Sequence, residues 1–247
     1  MSSLGIIGFG RFGRILGKIF LDDFEVKVYD PNPVQEQIGT ELTDLGTVLK
    51  EETIILAVPI SIFKNVVIDI APRLKKSCTI MDVCSVKVYP VSVMKDNLPK
   101  SVNIIGTHPL FGPDSIGQAE SLKIMMCNVR ETKNQYSKWT SYFLSKNMQV
   151  VEMSPEEHDK LASRTQGITH FIGRSLMNAG INPTLIDTLG FSELYKVIEQ
   201  TCNDSWELFK DLQNYNPYTQ SMIDDLENSI AEISNRIGYV NGKDTSS

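Results

Sequence analysis

Residues Leu4–Gly13, with the sequence LGIIGFGRFG, give the strongest indication of the fold class. Its first four residues are an apolar run typical of a buried strand, and Gly8–Gly13 then forms the pattern GxGxxG at the start of an apolar-periodic helix. The next strand pattern, Glu25–Asp30, ends on a carboxylate about twenty residues after the glycines, which is the spacing of a dinucleotide-binding unit. The stretch therefore predicts an α/β fold with a nucleotide site at its beginning.

The three glycines have separate expected roles in such a turn. Gly8 permits the tight turn, Gly10 lets the backbone approach a pyrophosphate, and Gly13 lets the helix pack close to the strand. The free N–H groups at the start of the helix would hold the phosphates. We assign to this cofactor site Gly8, Phe9, Gly10, Arg11, Phe12 and Gly13, with Val58 and Pro59 at the end of a later strand. The alternative is a doubly wound fold whose glycine turn binds nothing.

The residue at the end of the second strand predicts which dinucleotide binds. The carboxylate of Asp30 would accept hydrogen bonds from the adenosine ribose hydroxyls and would repel a 2′-phosphate, so we expect NAD rather than NADP. Arg11 and Arg14 leave NADP open, because a guanidinium near the turn can attract an additional phosphate.

Further strand patterns alternate with helical patterns up to residue 152. They are Thr53–Val58, which Pro59 ends, Cys78–Val83, Val102–Gly106, Lys123–Val129 and Gln149–Glu152. Strands separated by helices of this length predict crossover connections and a mostly parallel sheet. We therefore expect a Rossmann dinucleotide-binding domain over residues 1–152.

A purely helical pattern follows the last strand. Ser154 is expected to cap a helix, with Pro155 in its first turn and Glu157 completing a capping box. The predicted breaks in the helical pattern are Gly180–Pro183, Gly190 and Asn214–Pro217. We expect an all-helical domain over residues 153–237, packed on the first domain and on a second copy of itself, and a frayed tail over residues 238–247.

The composition argues against several classes of protein. The formal net charge is −6, and no lysine or arginine cluster supplies the basic face that a nucleic-acid partner needs. The longest apolar runs are about six residues, far short of a membrane span, and the first residues lack the pattern of a signal peptide. Cys78, Cys84, Cys127 and Cys202 have neither zinc-site nor disulfide spacing, so we expect a cytoplasmic protein with reduced thiols and no metal.

Three segments should carry polar side chains to the carboxyl edge of the sheet, where open sheets bind ligands. They are Asp82–Lys87, Gly106–Ser115 and, on the first helix of the second domain, Glu157–Asp159 with Gln166–His170. His108 suits a general base, because a neutral imidazole can take the hydroxyl proton when hydride leaves a secondary alcohol. Ser85 could hydrogen-bond the same hydroxyl. Taken alone, each is better explained structurally, His108 as a loop-packing residue and Ser85 as a helix cap.

The first helix of the second domain carries a polar stripe. Gln166, His170 and Arg174 recur at four-residue steps, and His158 lies eight residues before Gln166, so the four share roughly one face. Such a stripe lines a pocket or faces solvent. From spacing alone, solvent is the better interpretation.

These segments in this order resemble the arogenate and prephenate dehydrogenases. The residues that carry the resemblance are Gly8–Gly13, Asp82–Lys87, Thr107–Pro113, Glu157–Asp159 and Thr169–His170. The loop His108–Asp114 and the stretches Glu152–His170 and Asn203–Asn216 are similar to the plant-type arogenate dehydrogenases in particular. The resemblance covers residues 4–235, and the combination is far more specific than any single motif.

The resemblance implies a fold, a reaction and a set of site residues. The fold is a Rossmann domain followed by a helical dimerisation domain, and hence a homodimer. The reaction is the NAD-dependent oxidative decarboxylation of arogenate or prephenate on the route to tyrosine, with His108 as the catalytic base and Ser85 orienting the substrate hydroxyl. The implied substrate-binding residues are Asp114, His170, Gln166, Thr107 and Lys87.

Two positions bear on the substrate. The acidic Asp114 resembles the arogenate-using members, since arogenate carries an ammonium that a carboxylate can pair with, so we expect arogenate; a helix cap is the alternative role. Many bacterial members carry an arginine for a substrate carboxylate, and the comparable stretch Glu199–Asp204 has none. Arg164, Arg174, Lys87 or a residue of a partner subunit would have to replace it.

Two rival functions stay open. One is another two-domain NAD(P) oxidoreductase, such as a β-hydroxyacid dehydrogenase or a pyrroline carboxylate reductase, which would carry a helical-domain lysine or lack the His108 loop. The other is a non-catalytic dinucleotide sensor, which the presence of Ser85, His108 and His170 opposes.

Overall fold

The computed structural model describes residues 2–32, 39–112, 121–132 and 134–238, and its centre is one eight-stranded sheet. The strands are β1 (Ser2–Ile7), β2 (Phe24–Tyr29), β3 (Glu41–Leu42), β4 (Thr53–Leu56), β5 (Thr79–Asp82), β6 (Asn103–Pro109), β7 (Lys123–Arg130) and β8 (Gln149–Glu152). The apolar runs predicted every strand except β3, whose two residues are both exposed and show no alternation.

The strand order is β3-β2-β1-β4-β5-β6-β7-β8. Neighbouring strands from β3 through β6 are parallel, β7 runs antiparallel to β6, and β8 is parallel to β7. The first six strands have the order of a doubly wound dinucleotide fold, in which the crevice lies at the carboxyl ends where the order reverses, here between β1 and β4. The predicted fold class, a Rossmann sheet followed by helices, is confirmed.

Helices cover both faces of the sheet. They are α1 (Arg11–Phe20), α2 (Leu45–Val48), α3 (Ile60–Ile70), α4 (Val88–Asn97) and α5 (Gln135–Ser145). One apolar layer contains Phe20 of α1 and Trp139 of α5, and the other contains Phe63 of α3 and Met94 of α4. Because strand side chains alternate, a strand residue that faces one layer has neighbours that face the other.

The described elements after β8 are helical. They are α6 (Pro155–Ala162), a π-helical turn (Ser163–Gly167), α7 (Ile168–Asn178), α8 (Leu189–Cys202), α9 (Trp206–Asn214) and α10 (Thr219–Arg236). The hydroxyl of Ser154 accepts the N–H of Glu157 at 3.2 Å, as the predicted cap requires. The division into domains at residues 152 and 153 stays a prediction, and residues 239–247 of the predicted tail lie outside the described residues.

The predicted helix breaks are partly right. Those at Gly180–Pro183 and Asn214–Pro217 are confirmed, since α7 ends before the first and α9 ends at the second. The predicted break at Gly190 is wrong, because Gly190 lies in the first turn of α8. A break that the glycines and prolines did not indicate occurs at Ser205, whose hydroxyl caps α9 by accepting the N–H of Leu208 at 3.1 Å.

Two predicted strand ends are also corrected. β4 ends at Leu56 rather than Val58, and β6 continues to Pro109 rather than ending at Gly106. The antiparallel strand β7 causes the extension, because it places Met125 opposite His108 and supplies a hydrogen-bonding edge. His108 therefore lies on a strand, not in a loop. Among the described residues, no helix is long and apolar enough to cross a membrane.

Candidate active site

The glycine turn has the geometry that its sequence pattern predicts. Gly8 has a φ of +100°, and a Cβ there would overlap the carbonyl oxygen of Ala57 at the end of β4. A Cβ on Gly13 would overlap the carbonyl oxygen of Gly8, so α1 packs directly on the turn. Gly10, the N-cap of α1, faces open space instead. The turn thus leaves an open approach to the helix N-terminus, which fits a pyrophosphate.

The carboxylate of Asp30 lies beside this turn. Its Oδ2 accepts the N–H of Phe9 at 2.6 Å, and its Oδ1 accepts the N–H of Asn32 at 2.8 Å. A carboxylate has about four acceptor positions, so Asp30 keeps capacity for hydroxyl donors. Its half-buried position at the end of β2 is the one predicted for a ribose contact.

The end of β4 forms the opposite wall of the turn. Val58 is half-buried, and its side chain lies next to the position that a Cβ on Gly8 would take. Pro59 is exposed and is the N-cap of α3. The helix N-terminus is closed by a residue from α9, because the backbone N–H and hydroxyl of Ser61 both donate to Asp211 at 2.9 Å.

A fully buried ion pair supports the ends of β5 and β6. The ammonium of Lys87 has no exposed surface and pairs with the carboxylate of Asp82. It also donates to the carbonyl oxygen of Thr107 at 2.6 Å, and the Thr107 hydroxyl donates to the carbonyl oxygen of Asp82. Lys87 and Thr107, both predicted to contact a substrate, thus have buried protein partners in this structure.

His108 is part of a hydrogen-bonded chain that crosses to α6. Its Nδ1 lies 2.8 Å from Nε2 of His158, and Nδ1 of His158 lies 2.7 Å from Oδ1 of Asp159. Asp159 also accepts the backbone N–H groups of Lys87 at 2.7 Å and Val88 at 2.9 Å, which closes the N-terminus of α4. Asp159 therefore joins the predicted base to the loop that contains Ser85.

The surroundings of His108 favour its neutral form. Burial lowers the pKa of His108 well below its ordinary value of 6.5, and the nearby His158 and the Lys87 ammonium lower this pKa further. The residue as a whole is only 6% exposed. At neutral pH this imidazole is a proton acceptor, which is the state that a general base needs.

Ser85 lies on the loop after β5, at the same edge as His108. Asp82 of β5 pairs with Gly106 of β6. Ser85 lies three residues after Asp82, and His108 lies two residues after Gly106. The alternative that Ser85 caps a helix is wrong, because α4 begins at Val88 with Lys87 as its N-cap. Ser85 is half-buried at the strand ends, where its hydroxyl can form a hydrogen bond with a ligand.

Gln166 and His170 lie beyond α6, in and after the π-helical turn. The π-helical turn interrupts the α-helical repeat between His158 and His170, and the shared face of the stripe stays a prediction. The solvent interpretation of the stripe is wrong, because His158 is buried and the atoms Oε1 of Gln166 and Nδ1 of His170 are buried. Neither atom has a hydrogen-bond partner in the described chain, which is uncommon for buried polar atoms and suits a ligand site.

The carboxylate of Asp204 lies close to His170 and also contacts the residue that follows Gly10 of the glycine turn. Burial lowers the pKa of His170, the Asp204 carboxylate raises it, and the Arg174 guanidinium lowers it. The same Asp204 accepts from Nη1 of Arg11, the first residue of α1, at 3.4 Å. Asp204 therefore lies between His170 and the start of the cofactor helix.

Each of four strand ends is contacted by a residue of the helical region. Arg11 after β1 contacts Asp204, and Ser61 after β4 contacts Asp211. After β5, the N–H groups at the start of α4 contact Asp159, and at the end of β6 the ring of His108 contacts His158. The helices thus cover the carboxyl edge, where a doubly wound fold binds its ligands.

Sequence reasoning did not find the three carboxylates in these contacts. Asp159 stands within a quoted motif, but nothing in its spacing indicated that it would cap α4. Asp204 and Asp211 lie within the stretch Asn203–Asn216 that carried the resemblance, but helical periodicity indicates a residue's face on its own helix and not its partner elsewhere in the chain.

The candidates for binding a substrate carboxylate have other partners. Nη2 of Arg164 forms an exposed ion pair with Asp225 at 2.7 Å. Nη2 of Arg174 donates to the carbonyl oxygen of Asp204 at 2.6 Å, and its guanidinium stacks 5.0 Å from the ring centre of Trp206. The residue predicted to recognise the substrate side chain, Asp114, lies outside the described residues.

Two protein-family models match this chain. The model of the prephenate dehydrogenase nucleotide-binding domain matches residues 23–129. A second model, described as the TYRAAT1-like C-terminal domain, matches residues 175–241. The two matches fall on the sheet and on the helical region.

Curated relatives match across most of the chain. Chloroplastic arogenate dehydrogenase 1 of Arabidopsis thaliana is 33% identical over 235 residues, which are 90% of this chain and 37% of that protein. Chloroplastic arogenate dehydrogenase 2 of the same plant is 30% identical over 238 residues, which are 91% of this chain and 66% of that protein. The chain thus spans less than two thirds of the length of either relative.

The fold is also that of solved dehydrogenases. The structure of prephenate dehydrogenase from A. aeolicus, in complex with hydroxyphenyl propionate and NAD+, superposes with a TM-score of 0.76. The match covers 96% of this chain and 91% of that chain, at 19% sequence identity.

Proposed function

The chain belongs to the family of arogenate and prephenate dehydrogenases, and we propose that it catalyses the NAD-dependent oxidative decarboxylation of arogenate or prephenate. The product would be tyrosine from arogenate and 4-hydroxyphenylpyruvate from prephenate. Because the chain covers only part of its Arabidopsis relatives, the activity is proposed on the residues that this chain itself carries.

The observation that carries the proposal is the buried imidazole at the end of β6. His108 is held through Nδ1 by His158 at 2.8 Å, which leaves Nε2 for a substrate hydroxyl. Its lowered pKa keeps the ring unprotonated near pH 7, ready to take that proton. Loss of the ring carboxylate as carbon dioxide then makes the substrate ring aromatic, so the reaction is effectively irreversible.

The glycine turn would hold the cofactor. The helix start at Gly10 is open to a pyrophosphate, and Asp30 has acceptor capacity for the ribose hydroxyls. When bound, NAD supplies the hydride acceptor of the reaction. The A. aeolicus enzyme of the same fold was solved with NAD+, which supports this choice. We assign Val58 and Pro59 to the wall of this site and keep NADP as the alternative.

Three further residues have proposed roles at the substrate. Ser85 would orient the reacting hydroxyl, since its loop follows the strand next to that of His108. Gln166 and His170 would bind the substrate through buried polar atoms that have no protein partner in the described residues. We assign Lys87 and Thr107 to support of the strand ends, because both are fully packed among protein groups.

The preference for arogenate stays a proposal based on Asp114. A carboxylate there would pair with the ammonium of arogenate and repel the keto-acid of prephenate. The substitution Asp114→Asn should lower kcat/KM for arogenate relative to prephenate. An unchanged ratio of the two values would remove Asp114 from substrate selection.

One experiment separates this function from its rivals. The purified protein is incubated with NAD and either arogenate or prephenate, and NADH is followed by its absorbance. Formation of NADH with carbon dioxide release is expected with at least one substrate. A non-catalytic sensor would bind NAD without forming NADH. A β-hydroxyacid dehydrogenase or pyrroline carboxylate reductase would turn over only its own substrates. Either result would contradict the proposed function.

We also propose that the protein is a homodimer. Leu185 and Ile186, between α7 and α8, are almost completely exposed, and so is much of Leu189 at the start of α8. A second copy of the chain could cover this apolar surface. Sedimentation should give the mass of two chains for the wild type and of one for Ile186→Asp, and a monomeric wild type would contradict the proposal.

A cytoplasmic location is the remaining proposal. The four cysteines are all free, as expected for a reducing compartment. The Arabidopsis relatives are chloroplastic by name, so fractionation of the source cells is the relevant test. Recovery of the protein in an organelle fraction would contradict a cytoplasmic location.

A further inference from the structure

We propose that His158 and Asp159 are positioning residues that fix the tautomer of His108, with the proton on Nδ1 and the lone pair on Nε2. This inference rests on the proposed role of His108 as the base. It gives a role to the two consecutive hydrogen bonds that join His108 to α6. The role of His108 as a base does not by itself require these bonds.

The direction of the hydrogen bonds follows from the end of the chain. Two backbone N–H groups, those of Lys87 and Val88, already donate to the oxygens of Asp159. The Asp159 side chain is therefore an acceptor in this site, and Nδ1 of His158 must be the donor in the contact at 2.7 Å. The first proton in the chain thus stands on Nδ1 of His158.

Nε2 of His158 then determines which ring nitrogen of His108 carries the proton. His158 is 4% exposed, and a neutral imidazole has one donor and one acceptor nitrogen. A neutral His158 with a proton on Nδ1 has a lone pair on Nε2. In the 2.8 Å contact this atom accepts, so Nδ1 of His108 donates and Nε2 of His108 is unprotonated.

The proton balance of the reaction step is consistent with this arrangement. The substrate O–H bond breaks and an N–H bond forms at Nε2 of His108, while both other ring protons stay in place. The positive charge gained by His108 is stabilised by the acceptor His158, whose own proton points at the Asp159 carboxylate. In the opposite tautomer, Nε2 of His108 would carry a proton already and could not act as a base.

His158 is a better test position than Asp159. Asp159 also accepts two N–H groups at the N-terminus of α4, so a substitution at this position would disturb those hydrogen bonds as well. His158→Gln keeps an acceptor oxygen near the position of Nε2, whereas His158→Leu has a similar size and no acceptor. The pair therefore separates hydrogen bonding from packing.

The first measurement is the 15N NMR of histidine-labelled protein without substrate. In the wild type, Nδ1 of His108 should carry the proton, and in His158→Leu the tautomer should shift toward protonated Nε2. This readout does not depend on turnover, so an inactive wild type would defeat the proposed function without deciding the tautomer. A wild-type His108 protonated on Nε2 would overturn the inference whatever the activity.

The second measurement is steady-state kinetics of the two variants. His158→Leu should lose roughly 10²-fold or more in kcat, while KM and the NAD dissociation constant change little, and His158→Gln should recover most of the loss. Melting curves report whether each variant is folded. Equal losses in both folded variants, or kcat in His158→Leu close to the wild-type value, would show that His158 acts only through packing and would overturn the inference.

Discussion

The glycine turn and the His108 site stand at the same edge of one sheet but are built in different ways. Six residues of continuous chain, Gly8–Gly13, form the turn, and its shape follows from backbone contacts among its own glycines and Ala57. The His108 site combines the ends of β5 and β6 with α6, and its key contact joins residues fifty positions apart.

This difference has a consequence for what each site tolerates. The turn depends on the absence of side chains, so substitutions there act through steric overlap. The His108 site depends on hydrogen-bond partners held in place by a second set of helices, so substitutions there act through proton position and charge.

The largest expected effect is at His108. His108→Asn removes the proton acceptor and should lower kcat by about 10²–10⁴-fold, because that is the typical contribution of a general base. The glycine turn is unaffected, so NAD affinity by fluorescence or calorimetry should stay near the wild-type value. Retained turnover would remove His108 from the base role, and lost NAD affinity would mean that the two sites are not separable.

A matched pair of glycine substitutions tests the turn. Gly13→Ala places a Cβ on the Gly8 carbonyl, and should lower the free energy of unfolding by about 1–3 kcal/mol and weaken NAD binding. Gly10→Ala places its methyl in open space, and should leave stability nearly unchanged while weakening NAD binding. Denaturant unfolding and NAD titration measure both. The reverse order of stabilities would contradict the steric account of the turn.

Asp30 should affect cofactor choice and little else. Asp30→Ser removes the charge that would repel a 2′-phosphate, so the ratio of kcat/KM for NAD to that for NADP should fall about tenfold or more. Asp22→Ser removes the same charge at an exposed position of the same domain and serves as the control. An unchanged ratio in Asp30→Ser would mean that Asp30 does not contact the ribose.

The smallest expected effect is on a contact between the sheet and the helical region. Asp211→Ala leaves the N–H and hydroxyl of Ser61 without their partner, and should lower the free energy of unfolding by about 1–2 kcal/mol. Asp225→Ala breaks only the exposed pair with Arg164 and should have little effect. Equal stabilities of the two variants would show that Asp211 does not hold the helical region to α3.

The same contrast explains how far the sequence could predict the structure. The glycine turn and the helix cap at Ser154 were predictable, because each depends on residues close together in the chain. The position of His108 was predicted in outline but placed in a loop. The extension of β6 depends on β7, which approaches from about fifteen residues further along and leaves no local signal at His108.

The wrong interpretation of the polar stripe has the same cause. The polar stripe on the first helix was interpreted as solvated, because its spacing could not reveal the π-helical turn at Ser163–Gly167 or the burial of His158. The role of Lys87 at the substrate stays a prediction, and its buried position beside Asp82 and Thr107 was not indicated by the sequence. Contacts between remote segments thus determine both the strand position of His108 and the burial of His158.

The acid limb of the wild-type pH profile is the strictest test of His108 as the general base. A general base must be unprotonated, and burial, with His158 and the Lys87 ammonium facing the ring, holds the pKa of His108 below 6.5. Activity carried by such a base is lost as the pH falls through its lowered pKa. We therefore expect kcat/KM to stay level from about pH 8 down to 6.5 and to decline only below it. A decline that already begins above pH 7, or the same acid limb in the residual activity of His108→Asn, would contradict the account.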